Sequence, residues 1–165
     1  MKELSRSNTE IERKFLVRPS WKPMDEGAEI RQGYLCREKE RTVRVRTKGR
    51  KAYLTVKGAT EGITRREFEY EIPPEDAEEM LALCEPPLVE KVRHHDQVGD
   101  FLWEIDVFHG ANEGLVLAEV ELPSEDAPFQ KPVWAAEEVS GDPRYYNANL
   151  IAHPYCEWKD EKDCE

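Results

Sequence analysis

Long apolar runs are missing from this 165-residue sequence, and none approaches the ~18 residues that cross a membrane as a helix. Residues Met1–Asn8 also lack the charged and then apolar pattern of a secretory signal, so we do not expect export. Cysteine is scarce: Cys36, Cys84, Cys156 and Cys164 are scattered, and no two of them form a CxxC pair. This spacing favours reduced thiols in the cytoplasm over a disulfide framework or a zinc site.

Basic residues are outnumbered by acidic ones. The 24 Lys and Arg residues face 35 Asp and Glu residues, which gives a net charge of −11 and a pI near 5.0. This balance argues against a general nucleic-acid binder, which needs a basic face. The phosphate-binding patterns GxxxxGK and GxGxxG are also absent. The length fits one domain, which we expect over residues 1–156, followed by a charged and frayed tail over 157–165.

Alternation of polar and apolar residues with a period of two is the strongest pattern along the chain. Short links rich in turn residues separate the alternating runs, and Gly49-Arg50 is typical of a tight hairpin. About eight strands joined in this way predict a mainly β (α+β) fold, an antiparallel sheet closed into a barrel. The predicted strands are Thr9–Val17, Ala28–Cys36, Thr42–Lys48, Lys51–Lys57, Ile63–Ile72, Leu88–Asp96, Phe101–Phe108 and Leu115–Leu122.

Two helices are expected beside these strands. The first runs from Pro73 to Cys84 and has acidic residues in its first turn, where the helix dipole favours them. The second begins with Asp142 as its N-cap and Pro143 at its first position, and it continues to Pro154. We expect the first helix and the C-terminal segment to cover the apolar outer face of the barrel.

Charged residues occupy one face of most of the predicted strands. In the third strand, for example, Arg44, Arg46 and Lys48 share one face. On a single strand, such a face most often points to water, and an ordinary β domain with solvated charges is the alternative interpretation. Because the pattern recurs on neighbouring strands of a closing sheet, we expect the charged faces to line a water-filled tunnel.

The expected interior contains two chemically different sets of side chains. Clustered carboxylates hold hard divalent cations such as Mg²⁺, whereas Arg and Lys hold phosphate oxygens. The pattern therefore indicates a metal-chelated polyphosphate as the ligand. The candidate cations are Lys14, Arg44, Arg46, Lys57, Arg65, Lys91 and Arg93, and the candidate acids are Glu10, Glu12, Glu67, Glu69, Glu104, Asp106, Glu119 and Glu121.

The first strand contains the motif ExExK, Glu10-Ile11-Glu12-Arg13-Lys14, which puts two carboxylates and a lysine on one face. Further along the chain come Arg44-Val45-Arg46, Lys57, the Glu67–Glu71 row, Lys91-Val92-Arg93, Asp106 and Glu119-Val120-Glu121. In this order the set resembles the CYTH superfamily, the triphosphate tunnel metalloenzymes, from Glu10 to about Tyr155. The resemblance implies an eight-stranded antiparallel tunnel that binds triphosphates with Mg²⁺ or Mn²⁺.

The resemblance also implies roles for individual residues. The metal ligands would be Glu10, Glu12, Glu119 and Glu121, with Glu69 and Asp106 completing the acidic wall. The triphosphate would be held by Lys14, Arg44, Arg46, Lys57, Lys91 and Arg93. Lys14, Lys91 and Tyr34 are the catalytic candidates; the Tyr34 hydroxyl would reach a phosphate or orient Lys91, unless Tyr34 merely packs in the wall. Glu67, Glu71, Glu104 and Arg65 would be internal salt-bridge partners or additional ligands.

Known activities of the family include inorganic triphosphatase, thiamine triphosphatase, class IV adenylyl cyclase and RNA 5′-triphosphatase. Short loops leave few residues to recognise adenosine or thiamine, so we expect hydrolysis of inorganic tripolyphosphate to pyrophosphate and phosphate. The alternatives are a class IV cyclase, a thiamine triphosphatase and a non-catalytic polyphosphate-binding module. We expect a small-molecule substrate and neither a nucleic-acid nor a membrane partner; the oligomeric state stays open, with a homodimer as one arrangement.

Overall fold

The computed structural model describes residues 8–160. Within these residues the structure has nine strands: β1 Thr9–Val17, β2 Ala28–Glu38, β3 Arg41–Lys48, β4 Lys51–Gly58, β5 Thr64–Ile72, β6 Val89–Val98, β7 Phe101–His109, β8 Val116–Glu121 and β9 Ala135–Glu138. The helices are α1 Pro74–Leu83, α2 Asn149–Ala152 and α3 Tyr155–Trp158, with 3-10 turns at Gly110–Asn112 and Pro143–Tyr145.

Eight of the strands form a closed antiparallel ring. Their order is β5-β4-β3-β2-β6-β7-β8-β1, and β1 pairs again with β5 to close it. The first part of β1 pairs with β5 and its later part with β8, while β9 adds to the outer edge of β1. The predicted closed eight-stranded fold is confirmed, and each predicted strand agrees with the structure within two residues at either end.

Tight turns fix the register of the ring. Gly49 and Gly99 begin the links between β3 and β4 and between β6 and β7, with φ of 58° and 60°. These left-handed angles suit glycine, because a side chain at such a φ would be strained. The hairpin predicted at Gly49-Arg50 is therefore confirmed.

Apolar side chains on the outside of the ring are covered by α1 and by the irregular chain before β9. Helix α1 buries Ala77 and Leu81 against Val45 and Ala52. On another part of the ring, Trp103 is fully buried in a cluster to which Phe129 and Trp134 also belong. On most of the strands, alternation thus separates an apolar outer face from an inner face that carries charged residues.

The prediction of one continuous C-terminal helix from Asp142 to Pro154 is wrong. Asp142 does cap, since its carboxylate accepts a hydrogen bond from the Arg144 amide at 3.0 Å. The first turn is 3-10, however, and Tyr146 is extended (φ −70°, ψ 130°), so helical structure resumes only at α2. The reason is tertiary packing: Tyr145 and the α2 residues Leu150 and Ile151 are buried in one apolar cluster, which outweighs local helix propensity.

The frayed tail expected from residue 157 does not begin there. Trp158 is only 3% exposed and packs edge-on against Tyr145 and Tyr155, with ring centroids 5.2 and 5.0 Å apart. Its indole N–H donates to the His153 carbonyl at 3.0 Å. A single buried aromatic ring therefore anchors a segment whose composition is otherwise charged. The rest of the expected tail, residues 161–165 with Cys164, lies outside the described residues.

One end of the ring interior is filled by apolar side chains. Tyr34, Val89, Phe108 and Leu117 lie on the same strand faces as the inward charges, and they form a cluster with C-terminal residues that include Leu150. The expected water-filled tunnel is thus corrected to a hollow that is closed at one end. The physical reason is that these strand faces change from charged to apolar residues along their length.

Candidate functional site

The remaining hollow is a cavity of about 230 Å³ inside the ring. Seven carboxylates, five cations and one tyrosine line it, so every residue of its lining is ionisable. The charged faces therefore converge inside the ring, and the alternative of solvated charged faces is excluded for these strands. The lining residues are Glu10, Glu12, Arg44, Arg46, Lys48, Tyr53, Lys57, Glu67, Glu69, Arg93, Glu104, Glu119 and Glu121.

The carboxylates crowd together where β1 and β8 pair. The backbone register sets Glu12 opposite Glu121 and Lys14 opposite Glu119. Burial raises the pKa of Glu12 well above its usual value, and the negative charges of Glu119 and Glu10 raise it further. Burial also raises the pKa of Glu121. A group of carboxylates that is crowded in this way and has raised pKa values binds either protons or another cation.

Two lysines partly neutralise this acidic side. Lys57 Nζ lies 3.0 Å from a Glu10 oxygen and 3.1 Å from a Glu67 oxygen. Lys14 Nζ lies 3.3 Å from a Glu119 oxygen and donates to the Tyr145 carbonyl at 3.3 Å. Burial raises the pKa of Glu119, but the positive charges of Lys14, Arg93 and Lys91 together outweigh it and lower that pKa to about 2.

Glu67 lies on the other side of Lys57. Burial, together with its contact to Glu10, raises the pKa of Glu67 to about 7. Lys57 had been expected among the phosphate ligands; in the structure, its ammonium is already held between these two carboxylates.

The donor set of this acidic side fits a divalent cation. The lining of the whole cavity has two more carboxylates than cations, and hard divalent ions prefer carboxylate oxygens. Within residues 8–160, however, no three His, Cys, Asp or Glu side chains are already arranged to hold an ion. Glu12, Glu119 and Glu121 lie on the paired strands β1 and β8, and Glu10 is two residues before Glu12 on the same face of β1.

Three buried arginines form the basic side. Arg44 approaches Glu69 at 3.5 Å, and its Nε is buried without a hydrogen-bond partner. Arg46 donates from Nε to the Gln32 Oε1 at 2.8 Å, and no described carboxylate lies within 4.0 Å of it. Burial lowers the pKa of Arg46 to about 9, and the charges of Arg44 and Arg93 add to this shift. Three guanidinium groups so close together favour a bound anion.

Lys91 and Asp106 lie deeper, at the closed end. The Lys91 side chain is fully enclosed, and its Nζ contacts an Asp106 oxygen at 2.8 Å and the Asn147 Oδ1 at 3.0 Å. Burial lowers the pKa of Lys91 to about 7; Asp106 opposes the shift, while Arg93 and Arg46 add to it. Arg93 also binds both oxygens of Asp106, at 2.8 and 2.9 Å.

Asp106 had been expected on the metal wall, and the structure gives it a different partner set. Both of its carboxylate oxygens are taken by cations, which hold its pKa far below the usual value although burial opposes this. Asp106 is therefore a buried counter-ion of Lys91 and Arg93. Glu69, also expected on that wall, instead accepts from the Thr55 hydroxyl at 2.9 Å and pairs with Arg44.

Tyr34 had been expected beside a phosphate or Lys91. Its ring lies in the apolar cluster of the closed end and is 6% exposed. Asn147 and Asp106, not Tyr34, bind Lys91 among the described residues. Tyr34 is close enough to Arg46 to influence its pKa. Wall packing, the alternative considered for Tyr34, describes its position better.

The candidate site residues left out three residues of this region. Lys48, which the period-two pattern places on the same face as Arg44 and Arg46, lines the cavity, and so does Tyr53, which the same pattern reaches from Lys57. Asn147 has no such signal, because it comes from the irregular segment between the 3-10 turn and α2.

A larger cleft of about 710 Å³ lies outside the ring, between β1, the loop that follows it and strands β6 to β8. Its lining is mainly apolar and includes Leu16, Trp21 and Val107. Because it has no opposed sets of carboxylates and cations, we assign the candidate site to the smaller cavity. Among the described residues, no helix has the length and hydropathy needed to span a membrane.

Comparison with known proteins agrees with this geometry. The model of the CYTH domain family matches residues 8–155. The inorganic triphosphatase of Acetivibrio thermocellus is 52% identical over 153 residues, which are 92% of this chain and 98% of that protein. The inorganic triphosphatase of Nitrosomonas europaea is 39% identical over 146 residues, 86% of this chain and 96% of that protein.

A crystal structure of an inorganic triphosphatase has a TM-score of 0.63 and 37% identity, covering 86% of this chain and 93% of that chain. The family match spans nearly all of the described residues, and relatives well above 30% identity cover most of the chain. This chain belongs to the CYTH domain family.

Proposed function

We propose that this chain hydrolyses inorganic tripolyphosphate to pyrophosphate and phosphate with the help of a divalent cation. The observation that carries the proposal is one cavity in which three buried arginines face a crowd of carboxylates. Such a cavity is complementary to a polyanion that brings its own cation. The names of the two relatives, both inorganic triphosphatases, support the same reaction.

The phosphate chain would be held by Arg44, Arg46 and Arg93, with Lys14, Lys57 and Lys91 contributing charge from two sides. Arg46 is the first choice among them, since its guanidinium has no carboxylate partner among the described residues. Lys57 would reach phosphate by exchanging its contact with Glu10 or Glu67. Phosphoryl transfer asks a protein mainly for positioning and charge neutralisation, which these six residues supply.

Glu10, Glu12, Glu119 and Glu121 would hold Mg²⁺ or Mn²⁺. When bound there, the cation would screen the negative charge of the phosphates and make the attacking water more acidic. The excess of carboxylates in the lining and the raised pKa values of Glu12 and Glu121 support this assignment. Asp106 is left out of the proposed ligand set because Lys91 and Arg93 together bind both of its oxygens. Glu69 is left out because it accepts from Thr55 and pairs with Arg44 on the basic side.

Lys14 and Lys91 are the proposed catalytic cations within this arrangement. Lys14 lies beside Glu119, where the acidic and basic sides of the cavity meet. Lys91 faces the same interior from the closed end. The two ammonium groups would stabilise charge on the phosphoryl oxygens as the bond breaks. Tyr34 would support Arg46 from the apolar cluster rather than touch the substrate.

The lining favours an inorganic substrate over an organic triphosphate. Tyr53 is the one aromatic residue among its described members, and the other twelve are charged. A nucleobase or a thiamine ring needs apolar contact area, which organic ligand sites normally provide. Nucleoside triphosphates should therefore be weaker substrates than tripolyphosphate.

The test is a phosphate-release assay of the purified chain with tripolyphosphate, ATP, thiamine triphosphate and pyrophosphate. Each substrate is paired with Mg²⁺, Mn²⁺, Ca²⁺ or EDTA. We expect release from tripolyphosphate with Mg²⁺ or Mn²⁺ and none with EDTA. Cyclic AMP as the main product from ATP would assign a cyclase, and preferred cleavage of thiamine triphosphate would assign that activity. Tripolyphosphate binding without release under all conditions would make the chain a binding module and overturn the proposal.

We further propose that residues 8–158 act as one domain in the cytoplasm. The apolar cluster that joins Trp158 to strands β2, β6, β7 and β8 supports a single unit. Limited proteolysis should leave this stretch intact, and cell fractionation should recover the chain with soluble proteins.

A further inference from the structure

A chain of two amides links the phosphate-facing cations to the C-terminal segment. Asn147 Oδ1 accepts a hydrogen bond from Lys91 Nζ at 3.0 Å and another from Gln32 Nε2 at 3.2 Å. Gln32 is fully buried, and its Oε1 accepts from Arg46 Nε at 2.8 Å. Two cations on different strands, Lys91 of β6 and Arg46 of β3, are thereby connected through two neutral side chains.

The orientation of both amides is determined by the ends of this chain. Arg46 and the ammonium form of Lys91, which pairs with Asp106, are donors only, so each must meet an amide oxygen. Gln32 therefore turns its oxygen to Arg46, which leaves its NH₂ group for Asn147. Asn147 must in turn present its oxygen to both Gln32 and Lys91. A rotation of either amide would set donor against donor, which is costly next to the fully buried Gln32.

We propose that Gln32 and Asn147 are positioning residues that hold Arg46 and Lys91 in their phosphate-binding arrangement. The inference rests on the function proposed above and adds two uncharged residues to it. Arg46 has no carboxylate partner among the described residues, so the Gln32 oxygen is the acceptor that fixes its direction. Lys91 has Asp106 on one side, and the Asn147 oxygen fixes a second direction of its ammonium group.

Because Asn147 belongs to the C-terminal segment, this hydrogen-bond chain connects the closed end of the ring to the candidate site. The same segment contacts Lys14, whose Nζ donates to the Tyr145 carbonyl at 3.3 Å. Three interior cations from β1, β3 and β6 thus depend on residues 145–147 for part of their placement. Preorganised charges stabilise the transition state less well when they must reorient during the reaction. Loss of these hydrogen bonds should therefore lower turnover.

The test compares Asn147→Leu and Asn147→Asp with a control in the same segment, Asn149→Ala. Leucine has similar size and no acceptor, whereas aspartate keeps an oxygen for both donors. Asn149 is exposed, and its amide donates to the Pro143 carbonyl at 2.9 Å, so this variant perturbs the segment without touching the cations. We expect kcat with tripolyphosphate to fall ~10-fold or more in Asn147→Leu and clearly less in Asn147→Asp and Asn149→Ala.

Gln32→Leu and the double variant Gln32→Leu/Asn147→Leu complete the design. Because both amides belong to one chain, the double variant should lose about as much kcat as the worse single variant, not the product of the two losses. A purely structural role would instead lower the melting temperature of Asn147→Leu while sparing kcat below that temperature. Multiplying losses, or an unchanged kcat in Asn147→Leu and Gln32→Leu, would overturn the inference.

Two results keep this test separate from the proposed function. If the wild-type chain is inactive with every triphosphate and metal, the proposed function is overturned, and this inference with it. A fully active wild type with fully active Asn147→Leu would remove the inference alone. If Asn147→Leu does not fold, Gln32→Leu decides: wild-type kcat in that variant contradicts the positioning role.

Discussion

Arg46 differs from Arg44, Arg93 and Lys57 in its partners. Arg44, Arg93 and Lys57 each contact a carboxylate, whereas the guanidinium of Arg46 is bound by the neutral Gln32 amide. Its pKa of about 9 remains far enough above neutrality for the group to stay charged. An uncompensated buried cation is the strongest reason to place an anion at this point of the cavity.

Substitution of Arg46 by lysine keeps the charge but removes the planar fork and the Nε donor to Gln32. We expect Arg46→Lys to lower kcat/KM for tripolyphosphate ~10-fold or more, and Arg46→Ala ~100-fold, as loss of preorganised charge-stabilising groups does elsewhere. Steady-state phosphate release measures both. Arg31→Lys is the matched control, since Arg31 is on β2, 44% exposed and paired with Glu78 on the outside. Equal activity of Arg46→Lys and Arg31→Lys would contradict the role.

Asp106 offers a second contrast at the residue scale, between a counter-ion and a metal ligand. Asparagine at this position would leave Lys91 and Arg93 buried without their shared carboxylate. Removing one partner of a buried ion pair typically costs about 3–5 kcal/mol, so we expect Asp106→Asn to lower the free energy of unfolding by about that much. Urea unfolding in EDTA measures it, with the exposed Asp100→Asn as control. A wild-type free energy of unfolding, combined with a higher Mg²⁺ concentration needed for activity, would return Asp106 to the metal site.

At the scale of elements, the strands were predictable and the C-terminal segment was not. Period-two alternation is a local property, so β1 to β8 could be placed within two residues of their actual ends. The strand β9, the break at Tyr146 and the burial of Trp158 depend on distant partners in the ring. A single sequence contains no local signal for such contacts.

The same limit applies to the site. The period-two pattern predicted which side chains point into the ring, including those of Glu12, Arg46 and Glu119. It could not say which carboxylate meets which cation, and this is why Asp106 and Glu69 were assigned to metal rather than to their arginine partners. The strand face tells whether a side chain points into the ring. Which partner it meets depends also on the position of the residue along the axis of the ring.

Trp158 tests whether helix α3 is part of the domain. Trp158→Ala would leave a cavity between Tyr145 and Tyr155, and Trp-to-Ala changes in cores cost about 3–5 kcal/mol. We expect a lower melting temperature for Trp158→Ala and a smaller loss for Trp158→Phe, measured by thermal unfolding. Leu83→Ala is the control, because Leu83 in α1 is 77% exposed. Wild-type stability of Trp158→Ala would show that α3 frays in solution, as the composition of the tail first indicated.

For the whole molecule, the charges inside the ring connect folding to pH. Glu12, Glu67 and Glu121 have raised pKa values in the folded chain, so they keep protons at pH values where the unfolded chain has released them. Between about pH 4.5 and pH 7 the folded state therefore binds more protons, and its stability falls as pH rises. Asp106 and Glu119 have lowered pKa values, so the stability they provide is lost only as pH falls below about 4.5.

The metal-free chain should consequently be most stable near pH 5 and lose stability towards pH 7. We expect its melting temperature in EDTA to fall by roughly 3–6 °C over that interval, which corresponds to about 1–2 kcal/mol for a chain of this size. Glu12→Gln should flatten the profile, because its amide cannot take part in the proton uptake, whereas Glu90→Gln on the outside of β6 should keep the wild-type slope. Mg²⁺ should reduce the fall in the wild type, since a cation bound by the carboxylates replaces the protons. A wild-type profile that is level from pH 5 to pH 7 in EDTA, or the same slope in Glu12→Gln, would mean that these carboxylates are solvated and do not crowd one another inside the ring.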